Sequence, residues 1–193
     1  CALLGMAIQV ILVYQSWIVF FAKMDLKKFW SEAKKPVAYS FGVNSSLATL
    51  PLTLESLKNL KISPTAARLG AGLGTNFNND GILLYEAMAI LLVAQAYGIH
   101  LSWFSQFGLA VSCVVLSFGV SGVPEAGMIA LSLLVSNAGL PSEILPLLLT
   151  VDWILGRCRS ATNVLGDLVV SIVLDQFKLP KESRYTKSFK EAS

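Results

Sequence analysis

The sequence has 193 residues, 54% of them hydrophobic and only 14% charged, against about 25% charged in an ordinary soluble domain. A single histidine, His100, and three cysteines without metal spacing (Cys1, Cys113, Cys158) exclude most histidine-based metal or triad chemistry and imply no disulfide framework. The net charge of +3 decides little, but its distribution does: residues 1–22 and 87–124 carry no charge, and each run exceeds the roughly 20 residues a helix needs to cross a bilayer core.

The chain is therefore expected to be an all-α integral membrane protein. From Leu69 to Phe177 the only basic residues are Arg157 and Arg159. Basic flanks stay on the cytoplasmic side, which predicts that the 23–35 and 58–68 segments and the tail lie inside. The 97–105 connection and the Pro141–Glu143 turn then lie outside. The chain starts at Cys1 within an apolar run and has no basic n-region, so that run does not read as a signal peptide. It reads as a piece of a longer protein.

Taken in order, residues 1–22 predict a spanning helix, followed by a loop over Lys23–Lys35. Pro36–Val43 is apolar but too short to span. Asn44-Ser45-Ser46-Leu47-Ala48-Thr49-Leu50-Pro51 interrupts it, and the pattern resumes to Lys58. Two apolar pieces of about ten residues around a polar tip predict a re-entrant hairpin. Residues 65–96 predict a spanning helix broken by Thr75-Asn76-Phe77-Asn78-Asn79-Asp80-Gly81. Leu101–Leu116, an interruption over Ser117–Gly127 and Met128–Val135 predict a second re-entrant hairpin, entered from the outside. Residues 144–177 predict a last, polar spanning helix. Spanning helices and two hairpins of opposite entry, with broken helices, are the mark of an inverted repeat whose tips meet near the midplane. Residues 1–177 are thus expected to form one transport core. Residues 178–193 are expected to be a polar, poorly ordered cytoplasmic tail.

The chemistry concentrates in the last two spanning elements. Asp152, Gly156, Arg159, Asn163 and Asp167 are spaced 4, 3, 4 and 4, which puts them on one helix face. An intramembrane charge costs about 2.5–3.5 kcal/mol on insertion scales. The stripe must therefore be offset by pairing, water or ligands, and a binding path is favoured over an internal salt-bridge ladder. Arg157 points elsewhere on the helix and reads as a staple. Asn78 and Asp80 supply hard oxygen ligands where backbone carbonyls are also freed, as a monovalent cation requires. Ser45 and Ser46, with nearby backbone N–H groups, lie at helix ends that suit an anion, although plain helix capping would also use such serines. Arg159 can grip a carboxylate in a planar fork, so the solute is expected to be a small organic acid. Glu86, in an apolar helix, is a candidate proton carrier, with an ion pair to Arg157 or Arg159 as the alternative.

Asn44-Ser-Ser-Leu-Ala-Thr-Leu-Pro51, Asn78-Asn-Asp-Gly81, Ser121-Gly-Val-Pro124 and Asn163-Val-Leu-Gly-Asp167 resemble the dicarboxylate/amino acid:cation symporter family, in order and spacing, from about Leu3 to Phe177. The resemblance implies a sodium site at Gly74, Asn78, Asn163 and Asp167. It implies a second site that includes Asn78 and Asp80, and a third at the carbonyls of Ser117, Phe118 and Val120. Ser46, Arg159, Ser160 and Asn163 would contact the solute, and Glu86 occupies the proton-carrying position. The second hairpin, 106–137, with Gly119, Gly122 and Pro124 at its tip, would be the outer gate and the first the inner gate. Family members are trimers built through an N-terminal scaffold that these residues do not include. Several positions depart from the family pattern. Gly156 stands where amino acid transporters hold the substrate ammonium with an Asp, which favours a dicarboxylate lacking an amino group. Ile82 replaces a Thr, Asn79 a Met, Leu47 a Ser and Glu125 a Gly.

The expected function is secondary active symport of an acidic organic solute, a C4-dicarboxylate or acidic amino acid, driven by a sodium or proton gradient across the plasma membrane. No enzyme chemistry, bound cofactor or nucleic-acid partner is expected. The rivals are an intramembrane aspartyl protease using Asp80, and a non-coupled channel or solute-binding membrane protein.

Overall fold

The computed structural model describes residues 1–119 and 126–177, and these are helical apart from short connections. Helix α1, Ala2–Phe21, is long and apolar enough to cross a membrane. It widens into π-helical turns over Gln9–Tyr14 and Trp17–Phe21. Its outer face leaves Leu4, Ile11, Leu12 and Phe20 exposed, an apolar exterior suited to lipid.

Helix α2, Leu26–Val43, begins ten residues before Pro36. This corrects the expectation of a loop over Lys23–Lys35. Asp25 caps the helix by accepting from the Lys28 N–H at 3.0 Å, as N-cap acids do. Phe29, Ala33, Pro36 and Ser40, spaced 4, 3 and 4, form its buried stripe. Four of the five lysines of this stretch and Glu32 lie on an amphipathic helix, not in a loop. Asn44 ends α2 in the left-handed region (φ 53°, ψ 41°), and Ser45 starts α3, Ser46–Asn59. The two helices run antiparallel: Lys35 meets Glu55 at 3.4 Å, and Asn59 donates to the Glu32 carboxylate at 2.9 Å.

Helix α4 covers residues 64–77 in three joined stretches, Pro64–Ala67, a π-helical Arg68–Leu73 and Gly74–Phe77. Only Asn78 and Asn79 then leave the helical path before α5, Asp80–Ala96. The break is thus two residues long, shorter than the seven-residue interruption read from the polar run. A further apolar pair follows, α6 Trp103–Gly119 and α7 Ala126–Asn137. Ser117, Phe118 and Gly119 are helical, so α6 continues past its predicted end at Leu116. After a single turn at Ser142–Ile144 comes α8, Leu145–Gln176.

Helix α8 is the spine, packing on α2, α3, α4 and α5. Its C-terminal half shares one apolar core with α1 to α4 (Ile18, Phe29, Leu57, Leu168, Ile172). Its N-terminal half borders a second core with α5 to α7 (Ile90, Val93, Leu131, Leu134, Leu148). Close approach of α4 is permitted by Gly70, where a Cβ would sit 2.5 Å from Ser171 Cα. The polar face of α8 lies between the two cores.

Candidate solute and cation site

The break between α4 and α5 lies against the middle of α8, and glycines make the contact possible. A Cβ on Gly81 would meet the Arg159 carbonyl oxygen at 2.6 Å. One on Gly166 would meet Asn78 Nδ2 at 2.6 Å and the Tyr14 hydroxyl at 2.7 Å. Freed from helical bonding, the Gly81 N–H donates to Asn163 Oδ1 at 2.8 Å.

Three of the four residues expected at the first cation site come together directly. Asp167 is 1% exposed. Asn78 Nδ2 donates to its Oδ1 at 3.2 Å, and the Thr75 hydroxyl lies 3.2 Å from its Oδ2. Gly74 faces the same carboxylate, for a Cβ there would stand 2.8 Å from Oδ1. Asn163, one turn earlier on α8, is buried beside them and donates to Asn79 Oδ1 at 3.4 Å. Asp80, expected to share a site with Asn78, turns instead toward α1. Its Oδ2 accepts from the Tyr14 hydroxyl at 2.7 Å and from Gln9 Nε2 at 3.1 Å. Among the described residues, no basic side chain lies within ion-pairing distance of Asp167 or Asp80. Neutral donors alone face two carboxylates at this depth, and charge left so is costly without a cationic counterpart.

Arg159 is the other pole. It is 7% exposed, and it forms a two-bond fork with Asp152, Nη1 to Oδ1 at 2.7 Å and Nη2 to Oδ2 at 3.3 Å. Its Cζ stands 4.3 Å above the Tyr85 ring, a cation–π placement. Gly127 of α7 presses on the guanidinium, a Cβ there lying 3.1 Å from Cζ. Asp152, read from spacing as part of the binding path, is thus the internal partner of Arg159. Arg157 is the staple expected: its Nη1 donates to the carbonyls of Phe41 at 3.0 Å and Gly42 at 2.6 Å.

The other expected residues fall as follows. The Ser45 hydroxyl accepts from the Ala48 N–H at 3.1 Å, capping α3, and Ser46 begins that helix half-buried. Ser160 donates to Asn44 Oδ1 at 3.1 Å, so the α2–α3 tip sits on the polar face of α8. The Ser117 carbonyl accepts from Asn79 Nδ2 at 3.3 Å. The Phe118 ring packs edge-on against Phe77, centroids 5.4 Å apart. Glu86 is fully buried, and neither carboxyl oxygen has a hydrogen-bond partner among the described residues, so the alternative of an ion pair with Arg157 or Arg159 is not what the structure shows. Gly119 ends α6. Val120, Gly122 and Pro124 lie outside the described residues, as do Ser121, Glu125 and the tail 178–193.

Spacing had not singled out Tyr14, Gln9 or Thr75. Asn79, known only as a departure from a motif, bonds Asn76, Ser117 and Asn163 at once.

The sequence model of the sodium:dicarboxylate symporter family matches residues 1–177. Among similar curated proteins, an excitatory amino acid transporter of Caenorhabditis elegans is 38% identical over 66% of this chain and 26% of its own length. Excitatory amino acid transporter 1 of Ambystoma tigrinum is 36% identical over 66% of this chain and 24% of its own length. Excitatory amino acid transporter 1 of Homo sapiens is 35% identical over the same shares. The chain therefore spans about a quarter of the length of these relatives.

Proposed function

The chain belongs to the sodium:dicarboxylate symporter family, and from that premise we propose that it is the solute- and cation-binding core of a secondary active symporter of acidic organic solutes. The family consists of transporters, not enzymes, which removes the protease reading of Asp80. The observation that carries the proposal lies on one helix. Within two turns of α8, a buried guanidinium (Arg159) is followed by a buried amide (Asn163) and a buried carboxylate (Asp167) that only neutral donors face. Positive charge for the solute and negative charge for the cation thus stand side by side.

Arg159 is held in place by Asp152 and Tyr85 and turns its remaining N–H groups to a solute carboxylate. Ser46, Ser160 and Asn163 complete the solute contacts. One sodium is coordinated by Gly74, Asn78, Asn163 and Asp167, another with help from Asp80 and Asn78, and a third by carbonyls of Ser117, Phe118 and Val120. Asn163 serves both solute and cation, and Gly81 and Asn79 bond to it, so occupancy of one site is felt at the other. Glu86 exchanges a proton during the cycle, since a carboxyl without partners changes its environment cheaply only by changing its charge.

The α2–α3 and α6–α7 pairs act as re-entrant hairpins of an inverted repeat, the first as inner gate and the second, with Gly119, Gly122 and Pro124 at its tip, as outer gate. The broken α4–α5 path supports this arrangement, because non-helical backbone at membrane depth is tolerated only inside protein or beside a cavity. The protein resides in the plasma membrane with its tail cytoplasmic and assembles as a trimer through an N-terminal scaffold. Gly156 favours a C4-dicarboxylate, although the curated relatives are named for excitatory amino acids.

The test is uptake of succinate and of aspartate by the full-length protein in proteoliposomes, each with and without an inward sodium gradient. Gradient-driven accumulation of either acid is expected. Equilibration without accumulation would assign the protein to the non-coupled channels instead.

A further inference from the structure

The α2–α3 tip reaches the solute face of α8 through a side chain to which the sequence assigns no role. Asn44 ends α2 in the left-handed conformation, which asparagine tolerates better than other side-chain-bearing residues. From there its carboxamide lies on α8 at Gly156. A Cβ on Gly156 would stand 3.1 Å from both Asn44 Nδ2 and Asn44 Oδ1, and 3.3 Å from Arg159 Nη2. The volume that a side chain at 156 would fill is therefore occupied by the Asn44 amide, with the guanidinium beside it.

The polarity of this corner follows from its hydrogen bonds. Asn44 Oδ1 accepts from the Ser160 hydroxyl at 3.1 Å, which engages the oxygen. No described residue accepts from Nδ2, so two amide N–H groups remain to meet a ligand. The carboxylate nearest Arg159, that of Asp152, is engaged in the two-bond fork. What this corner offers a solute is thus N–H donors from Asn44 and Arg159. A solute oxygen finds free donors there, whereas an ammonium finds only oxygens already engaged, Asn44 Oδ1 with Ser160 and the Asp152 carboxylate with Arg159, and must compete for them.

We propose that Asn44 is a specificity-determining residue of the solute site. Lodged against Gly156 and oriented by Ser160, it donates to a solute oxygen and selects C4-dicarboxylates over acidic amino acids. The proposal rests on the reading of Arg159 as the grip for the solute carboxylate.

The experiment compares KM and maximal uptake rate for succinate and L-aspartate in sodium-gradient proteoliposomes of the full-length protein and its Asn44→Asp, Asn44→Gly and Arg159→Ala variants. The parent is expected to prefer succinate. Asn44→Asp, nearly isosteric, puts an acceptor where the amide donors were. It is expected to lower the succinate-to-aspartate ratio of uptake efficiency at least about tenfold, chiefly through KM, as when a site that hydrogen-bonds one substrate group meets another in its place. Asn44→Gly keeps the left-handed turn without the amide, and is expected to raise the succinate KM several-fold at unchanged maximal rate.

Three results overturn the proposal: a parent that prefers aspartate, a ratio in Asn44→Asp within twofold of the parent, or an Asn44→Gly protein indistinguishable from the parent. Equal loss of maximal rate for both solutes also overturns it, since Asn44 would then serve only the turn. The Arg159→Ala arm separates the two levels. If it abolishes uptake of both acids while the Asn44 variants behave as the parent, Asn44 alone is dismissed. If it leaves uptake intact, the reading of Arg159 falls and the proposal with it.

Discussion

The Ser56 hydroxyl donates to the backbone carbonyl of Glu32 at 3.0 Å, and Glu32 is four residues before Pro36. Proline has no N–H for that carbonyl and crowds it, so α2 would carry an unsatisfied group where α3 covers it. The side chain from the neighbouring helix satisfies it and fixes the register of the pair. Ser56→Ala is expected to cost about 1–3 kcal/mol, the penalty of a buried acceptor left unpaired. A lower melting temperature of the detergent-solubilised protein would show it. An unchanged melt would mean that water takes over the carbonyl.

Arg157 fastens the end of α2 to α8 through two carbonyls. Charged hydrogen bonds of this kind contribute about 1.5–3 kcal/mol. Arg157→Ala is expected to free the α2–α3 tip, measured as faster labelling of a cysteine introduced at Leu47. Arg157→Lys should restore only part of the protection, because an ammonium on a flexible, shorter stem is less pre-organised to hold both carbonyls. Equal labelling rates in all three proteins would deny the staple.

Two glycines make opposite predictions. At Gly81 a Cβ would collide with the backbone of α8, 2.6 Å from the Arg159 carbonyl oxygen. Gly81→Ala is expected to destabilise by about 1–3 kcal/mol through overpacking and to abolish uptake. Gly72 has nothing within 4 Å of such an atom. Gly72→Ala is expected to stabilise by about 0.5–1 kcal/mol, the helical preference of alanine over glycine, with uptake intact. Thermal melts and uptake assays on the pair check both signs.

Among the described residues Asp167 is faced by neutral donors alone, so under the proposed function a bound cation would supply its counter-charge. Asp167→Asn is expected to raise the sodium concentration for half-maximal uptake by about tenfold or more, tenfold corresponding to about 1.4 kcal/mol. Thr75→Ala removes one hydroxyl and should shift it less. A sodium dependence that Asp167→Asn leaves unmoved would remove this residue from the cation path.

Glu86→Gln keeps shape and removes the exchangeable proton. Solute uptake by this variant is expected to lose its response to an imposed proton gradient while keeping its response to sodium. If the parent shows no proton response at all, Glu86 is a buried structural acid.

The stripe on α8 was legible because a long helix converts spacing directly into a face. Its order of acid, base, amide and acid survives in the structure. The break was legible from polarity, yet its length was not. Thr75 and Asn76 are polar but helical: the Thr75 hydroxyl donates back to the Ala71 carbonyl within the helix and also reaches the Asp167 carboxylate on α8. The start of α2 was hidden by composition, its lysines masking a four-residue buried stripe. The Tyr14–Asp80–Gln9 contact was hidden by geometry. Residues five apart do not share the face of an α-helix, but the i→i+5 bonding of a π turn brings Gln9 and Tyr14 onto one side of α1, where both reach the same carboxylate oxygen. Asp152 and Arg159, two turns apart, were read from spacing as neighbours on one face of the helix, and they bond to each other. Spacing alone does not distinguish two ligands of a solute from two partners of each other.

That last pairing also bears on how the protein responds to voltage. Moving one elementary charge through 100 mV of membrane potential is worth about 2.3 kcal/mol. Arg159 and Asp152 are carried by the same helix and bonded to each other, so whatever path α8 takes, the two travel as a neutral dipole on which the field does little net work. In the proposed cycle Arg159 is in this way electrically silent, and charge movement falls to the exchanging ions, the solute and the fixed charges outside this pair, among them Asp80, Arg157 and Asp167.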